Sequence, residues 1–199
     1  MADNSTSPDH ATRTVETTRG LLTYAQLAPL LAERVLVVEE RIATGDFAGT
    51  PLDGDFLLYL HKSISGDLVP DWSGRWRTVA VTVGAHQPPA PHDVPILIRL
   101  YVDDLAARLV HLDESTLLET LAFAEGRLLS IHPFFDFNGR ITRLWLRELL
   151  RRLDLPPVDL VPTVSDEEPA YFNALRAGDA LDWKPLADIW RQRIENFSA

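Results

Sequence analysis

Apolar residues recur at intervals of three and four along most of this chain, which is the spacing of helices that bury one face. In residues 21–42 the apolar residues fall on one side of a predicted helix. Thr23 is suited to cap a first turn, Pro29 suits the first position of a longer helix, and Gly45 ends that helix. The same spacing predicts further helices at residues 53–64, 94–111, 114–130, 138–153, 166–177 and 184–196.

Two segments depart from this helical pattern. Residues 76–83 are rich in valine and threonine and alternate in part, which predicts a short β-hairpin or flap; the alternative is an irregular surface loop. Residues 1–20 are polar and lack periodicity, which predicts a disordered arm. The expected fold class is therefore mainly α, a helical bundle with a short β-hairpin flap, in a single domain over residues 21–199.

Composition narrows the function classes. The 199 residues are 46% hydrophobic, enough for one core, and contain no cysteine, which excludes disulfides and thiolate chemistry. No apolar run is long enough to span a membrane, and the first residues lack the features of a secretory signal, so a cytoplasmic protein is expected. The net charge of −10, without a basic cluster, makes nucleic-acid binding an unfavoured prediction.

The chemistry is concentrated between two strongly apolar helices, in residues 132–143. Pro133 disfavours helix at His132, and Asn138-Gly139 is turn sequence that leads into the next helix. A tight loop that feeds a helix N-terminus presents unpaired N–H groups to an anion. Arg140 and Arg143 project near that end, so the segment predicts a phosphate site.

Two further side chains would complete a reaction centre there. His132 is a candidate proton acceptor, and Asp136 is a candidate Mg²⁺ ligand beside phosphate oxygens. Simpler interpretations stay open: Asp136 as a helix cap, and the arginines as a solvated helix face. The other histidines show no metal-ligand spacing, so no structural metal is predicted; they are His10, His61, His86, His92 and His111.

The segment HPFFDFNGRITR resembles the signature of the Fic (Fido) family, HPFx(D/E)GNGRxxR, and differs at one fixed position. Gly74 to Arg77 and the later Pro88-Pro89 pair are similar to the ends of that family's flap, and residues 171–179 resemble its closing helices. The resemblance covers about residues 55–195. It implies a Fic-like helical fold and AMP transfer from ATP to a Ser, Thr or Tyr hydroxyl of a protein, with Mg²⁺ as cofactor.

The resemblance also implies roles for individual residues. His132 would deprotonate the target hydroxyl, and Asp136 would bind Mg²⁺. The nucleotide and phosphate site would comprise Phe137, Asn138, Gly139, Arg140 and Arg143. The flap that docks the target as an added strand would comprise Arg77, Thr78, Val79, Ala80, Val81, Thr82 and Val83.

Phe137 is the departure, because most members carry glycine there and Doc-type members carry alanine. Its ring would either narrow the phosphate cradle or pack outward and leave the backbone amide in place. In the first case, the alternative function is a catalytically weakened relative that binds a nucleotide or a protein partner without turnover.

Regulation is also predicted from the family pattern. The family's inhibitory motif, (S/T)xxxE(G/N), is incomplete at Glu16, Glu125 and Glu195, although Glu16 remains an outside possibility. A separate antitoxin-like inhibitor is therefore a candidate partner.

Overall fold

The computed structural model describes residues 13–162 and 167–197. A two-stranded antiparallel sheet, β1 (Thr14–Thr17) and β2 (Gly20–Thr23), precedes seven α-helices in this part of the chain. The helices are α1 (Tyr24–Ala43), α2 (Gly54–Ser65), α3 (Val94–Val110), α4 (Leu117–Ile131), α5 (Asn138–Arg152), α6 (Glu168–Asp179) and α7 (Lys184–Phe197). A single 3₁₀ turn, Pro91–Asp93, leads into α3. The predicted mainly α class is thus confirmed.

Side-chain caps fix where the first two helices begin. Thr23 and Gln26 form a reciprocal capping box at α1, with the Gln26 N–H donating to Thr23 Oγ1 at 3.3 Å and the Thr23 N–H donating to Gln26 Oε1 at 2.9 Å. Asp53 Oδ1 accepts the Phe56 N–H at 3.0 Å at α2. Pro29 lies inside α1 rather than at its first position, because the capping box starts the helix at Tyr24.

The two central helices are α4 and α5, which are joined by a short loop. Helix α4 packs on α3, α6 and α7, whereas α5 packs on α1 and α2. Fully buried Trp145 of α5 and Trp190 of α7 anchor the two sides of this core. The loop between α4 and α5 therefore lies where the two halves of the bundle meet.

The prediction of a disordered arm is wrong for residues 13–20. Strand β1 pairs with β2, and the Thr18 N–H donates to the Leu68 carbonyl at 2.9 Å. Val15 is the one apolar residue of β1 and it is buried. A single apolar side chain gives no detectable periodicity, which is why the sequence did not predict this strand. The remainder of the predicted arm, residues 1–12, lies outside the described residues.

The β-hairpin predicted for residues 76–83 is also absent from the described structure, and the irregular alternative is correct there. The segment makes one isolated bridge, between Val83 and His86, around a turn at Gly84 with φ of +56°. Carbonyls that a ladder would use are instead bound by the side chain of Arg77. Throughout residues 13–162 and 167–197, the helices are too short or too polar to cross a bilayer.

Candidate active site

The loop of residues 132–137 connects α4 to α5 through two backbone conformations that are unusual for residues with a side chain. His132 ends α4 with φ of +49°, and Phe137 precedes α5 with φ of +65°. Each left-handed residue reverses the chain locally at a cost in free energy. The result is a tight turn that places the start of α5 next to the end of α4.

Asn138 holds this turn together. The Phe134 N–H donates to Asn138 Oδ1 at 2.8 Å, and Asn138 Nδ2 donates to the Phe134 carbonyl at 2.9 Å. The side chain, predicted to bind phosphate, is therefore committed to the loop. A phosphate would find the main-chain N–H groups of Asn138 and Gly139 at the start of α5, because the Arg140 N–H already donates to the Phe137 carbonyl at 3.0 Å.

His132 is held in its neutral form. Burial lowers the pKa of His132 to about 4; a hydrogen bond to the Leu129 backbone opposes this shift, and the charges of Arg77 and His86 add to it. Because this pKa lies well below neutrality, the imidazole is unprotonated at pH 7. It can then accept a proton, as the predicted base must.

Asp136 lies beside it with its carboxylate almost fully buried. Oδ1 accepts the Phe137 N–H at 2.7 Å, while Oδ2 lies 3.0 Å from Arg13 Nη2 without hydrogen-bond geometry. Burial raises the pKa of Asp136, and the charge of Arg13 and the Phe137 amide oppose that shift. Arg13 is an ion-pair partner that sequence reasoning missed, because its segment was predicted to be disordered.

The residues present fit one divalent cation held jointly with a ligand. Nowhere in the described chain do three or more acidic, histidine or cysteine side chains converge as a complete metal site. Asp136 Oδ2 supplies one hard oxygen with no hydrogen bond of its own. Mg²⁺ commonly binds through one or two carboxylates, with substrate phosphates and waters completing its shell.

Arg143 is a partly buried guanidinium with no hydrogen bond or ion pair to any residue in the described ranges. Burial lowers the pKa of Arg143, and the neighbouring charge of Arg140 lowers it further. A β-carbon on Gly139 would lie 3.5 Å from Arg143 Nη1, so the guanidinium lies against the start of α5. Two cations at a helix N-terminus favour a bound anion.

Arg140 has a different environment, since it is partly satisfied within the chain. Its Nη1 donates to the Tyr24 hydroxyl at 2.7 Å, and its Cζ lies 5.6 Å from the Tyr24 ring centroid. Tyr24 is thus a second neighbour of the site that the sequence did not reveal, because 116 residues separate the two side chains.

The Phe137 ring packs inward beneath the loop rather than outward, and its centroid also lies 5.9 Å from Arg140 Cζ. It is 3% exposed, and its centroid lies 5.3 Å from Trp72 and 6.1 Å from His61. The ring therefore belongs to an aromatic cluster under the loop. This position accounts for how a large side chain occurs where the family pattern has glycine.

Arg77, which was predicted to belong to the docking flap, has its side chain buried against the loop. It is 3% exposed, and its Nε donates to the His132 carbonyl at 2.8 Å. Its other nitrogens bind the carbonyls of Val79, Pro89 and Ile131. Arg77 therefore ties both ends of the flap to the residue that bears the candidate base.

The outer flap is mostly exposed. Thr78, Val79, Ala80 and Thr82 are exposed, whereas Val81 is buried and Val83 half-buried. Its far end is fixed by His86, whose Nε2 lies 2.9 Å from the Ser130 carbonyl and whose Nδ1 lies 2.9 Å from Asp179 Oδ2.

These features match a known family. The model of the Fic/DOC family matches residues 51–150, which include α2, the flap, α3, α4 and most of α5. The chain belongs to the Fic/DOC family. The resemblance read from residues 132–143 is thereby confirmed.

Relatives of this Fic/DOC chain include the protein adenylyltransferases Fic of Drosophila persimilis and Drosophila willistoni. They are 33% and 34% identical to it over 148 residues. Each match covers 71% of this chain but only 28% of the relative. The chain thus spans less than a third of the length of these curated relatives.

Solved Fic structures share the fold. The FIC domain of Bep8 from Bartonella sp. 1-1C superposes with a TM-score of 0.72 at 16% identity, over 98% of this chain and 95% of that one. BepC from Bartonella tribocorum, solved with bound AMPPNP, gives 0.69 at 16% identity over 97% and 94%. Fic-1 from C. elegans gives 0.57 at 26% identity over 84% and 47%.

Proposed function

We propose that this Fic/DOC chain is a protein adenylyltransferase, or a related transferase that moves a phosphate-containing group from a nucleotide to a Ser, Thr or Tyr hydroxyl of a protein. One observation carries the proposal: Arg143 is a partly buried cation without a partner among the described residues, at the helix N-terminus that follows the neutral His132. The adenylyltransferase relatives and the AMPPNP-bound Bartonella neighbour support the choice of ATP.

The proposed reaction is a displacement at the α-phosphorus. The target oxygen forms a bond to this phosphorus, the bond to pyrophosphate breaks, and the hydroxyl proton passes to His132. Arg140, Arg143 and the first N–H groups of α5 hold the phosphates, since this chemistry depends on positioning and charge neutralisation. Asp136 would hold Mg²⁺, which when bound neutralises phosphate charge.

The target would dock on the outer flap. Residues 78–80 and 82 form an exposed, irregular edge beside the catalytic loop, and an extended peptide can add to such an edge through main-chain hydrogen bonds. We assign docking to Thr78, Val79, Ala80 and Thr82, and support of the flap to Arg77. A separate antitoxin-like inhibitor, a cytoplasmic location and the absence of nucleic-acid and membrane partners stay predictions.

The alternative of a weakened binder has less physical support. It required the Phe137 ring to fill the phosphate cradle, whereas the ring is held mainly by Trp72 and His61 and lies 5.9 Å from Arg140 Cζ at the edge of the candidate site. No acidic side chain of the described residues pairs with Arg143. Glu125, which lies in one of the incomplete inhibitory motifs, binds Arg193 and Tyr171.

A labelling experiment tests the function. The purified chain is incubated with Mg²⁺ and each of labelled ATP, UTP, GTP and CTP, alone and with a cell extract. Label should appear on protein, vanish in His132→Ala, and persist in His111→Ala, which alters an exposed histidine. Nucleotide binding without transfer by the unaltered chain would contradict the proposal.

A further inference from the structure

His61 is a fully buried histidine of α2 that lies beneath the catalytic loop. The spacing of the histidines predicts no role for it. Its ring stacks on the Phe134 ring, with centroids 4.1 Å apart and planes within 5° of parallel. The centroid of the Phe137 ring lies 6.1 Å from that of His61. The imidazole thus contacts the loop on either side of Asp136.

Both ring nitrogens of His61 have main-chain partners. The Gly74 N–H donates to Nδ1 at 2.8 Å, and Nε2 lies 3.3 Å from the Asp136 carbonyl oxygen. Since Nδ1 accepts a hydrogen bond, it carries no proton. Nε2 must then carry the proton and donate it to Asp136, so one neutral tautomer satisfies both contacts.

Gly74 makes this connection possible from the flap side. It has φ of +65°, and a β-carbon there would lie 3.0 Å from Lys62 Cβ and 3.3 Å from the Leu58 carbonyl. Glycine therefore suits this position, where the backbone passes close to α2. A side chain here would press against Lys62 Cβ and the Leu58 carbonyl. The first residue of the flap is thereby brought to the same imidazole that reaches the loop.

We propose that His61 is a positioning residue that fixes the backbone of Asp136, and with it the direction of the carboxylate, while it ties the start of the flap to the same point. The inference rests on the proposed function only for its catalytic consequence. An apolar ring of equal size would fill the space but leave the Gly74 N–H and the Asp136 carbonyl buried and unpaired.

Two conservative variants separate positioning from packing. His61→Gln places an amide nitrogen where Nε2 lies and can still donate to the Asp136 carbonyl, whereas His61→Asn is too short to do so. Both lose the aromatic stack. Ser65→Ala is the matched structural control, since it removes buried hydrogen bonds to the His61 carbonyl and Ser73 but none to the loop.

Three measurements are made on each variant of the whole chain: amide hydrogen exchange of residues 134–137, binding of Mn²⁺ with AMPPNP, and kcat and KM of transfer. In His61→Asn we expect faster amide exchange of the loop and a lower kcat. We also expect Mn²⁺ to bind about tenfold more weakly, as is typical when a residue that orients a metal ligand is lost. His61→Gln should lie between His61→Asn and the unaltered chain. Ser65→Ala should lower only the unfolding midpoint.

The proposal is overturned if His61→Asn matches Ser65→Ala in loop exchange, or if His61→Gln is no better than His61→Asn. Hydrogen exchange needs neither nucleotide nor turnover. If the unaltered chain binds no Mn²⁺ with AMPPNP and transfers no label, the proposed function fails, and loop exchange in the three variants still decides the role of His61.

Discussion

Phe137 combines a backbone conformation that favours glycine with a side chain that is almost fully buried. Its φ of +65° costs about 1–3 kcal/mol for a residue with a β-carbon. Contacts of the ring with Trp72 and His61 offset that cost. Backbone strain and side-chain packing therefore oppose each other at this one position.

Phe137→Gly should lower the free energy of unfolding. Loss of a buried phenyl ring costs about 3–5 kcal/mol, and relief of the left-handed backbone returns part of this, so a net loss of about 2 kcal/mol is expected. Chemical denaturation measures it, with Phe172→Ala as the control because that ring is half exposed. An unchanged or higher stability would show that the ring contributes little.

The transfer proposed to depend on His132 should persist to unusually low pH. A base works in its neutral form, so transfer is lost as the pH falls through the folded pKa of about 4, rather than through the ordinary value near 6.5. The pH profile of kcat/KM measures the acid limb, and circular dichroism checks that the chain remains folded. An acid limb between pH 6 and 7 would contradict the neutral, buried imidazole.

At the scale of elements, the N-terminal hairpin contributes to the site directly. The Tyr24 N–H, next to β2, donates to the Arg13 carbonyl at 2.7 Å, while Arg13 pairs with Asp136 and Tyr24 with Arg140. The hairpin thus places a guanidinium beside the carboxylate that would hold a divalent cation.

Arg13→Gln should strengthen cation binding, because a competing positive charge is removed from Asp136. A gain of about 1 kcal/mol or more, at least roughly fivefold in Kd, is expected, because the two side chains are only 15% and 5% exposed and water screens them less than a surface pair. Titration of Mn²⁺ with AMPPNP measures it, and Arg19→Gln, on an exposed residue of the same hairpin, is the control. Equal affinities in the two variants would show that Arg13 does not compete.

Helices were the elements that the sequence predicted best. The start of α5 was predicted at Asn138, where it begins, and the predicted end of α4 lay one residue before Ile131. The strands were misplaced, because β1 and β2 are four residues each and carry few apolar side chains. The valines of the flap resembled a strand, but Arg77 takes up carbonyls that a second strand would need.

Sequence reasoning brought together only those residues of the candidate site that belong to one contiguous motif. His132, Asp136, Gly139, Arg140 and Arg143 lie together around the start of α5, in neighbouring turns of chain. Arg13, Tyr24 and His61 were missed because tertiary packing alone brings them to the motif. Local sequence carries no pattern for such long-range contacts.

At the scale of the whole molecule, a buried ionic network joins three helices. Glu125 of α4 pairs with Arg193 of α7 at 2.7 Å and accepts a hydrogen bond from the Tyr171 hydroxyl of α6 at 2.7 Å. Arg193 also donates to the Leu160 carbonyl at 3.0 Å. Tyr171 also lies close enough to Arg143 of α5 for an electrostatic interaction, so the network joins α4, α6 and α7 beside the candidate site.

Glu125→Gln should therefore destabilise the bundle strongly. The change leaves the buried guanidinium of Arg193 without its counter-charge, a loss that commonly costs about 3–5 kcal/mol. Thermal and chemical unfolding measure it. Glu119→Gln, on an exposed ion pair of the same helix, should cost less than about 1 kcal/mol. Similar losses in the two variants would mean that the buried network stabilises no more than a surface pair.

Several side chains around the loop of residues 132–137 bind its main chain. Arg77 binds the carbonyls of Ile131 and His132, His61 approaches that of Asp136, and Asn138 brackets Phe134 through its amide and carbonyl. Such a scaffold keeps the shape of the turn while the residues displayed on it change. Positions 135 and 137 do not have that freedom, because both rings pack on Trp72 beneath the loop and a substitution at either position would also have to rebuild this support.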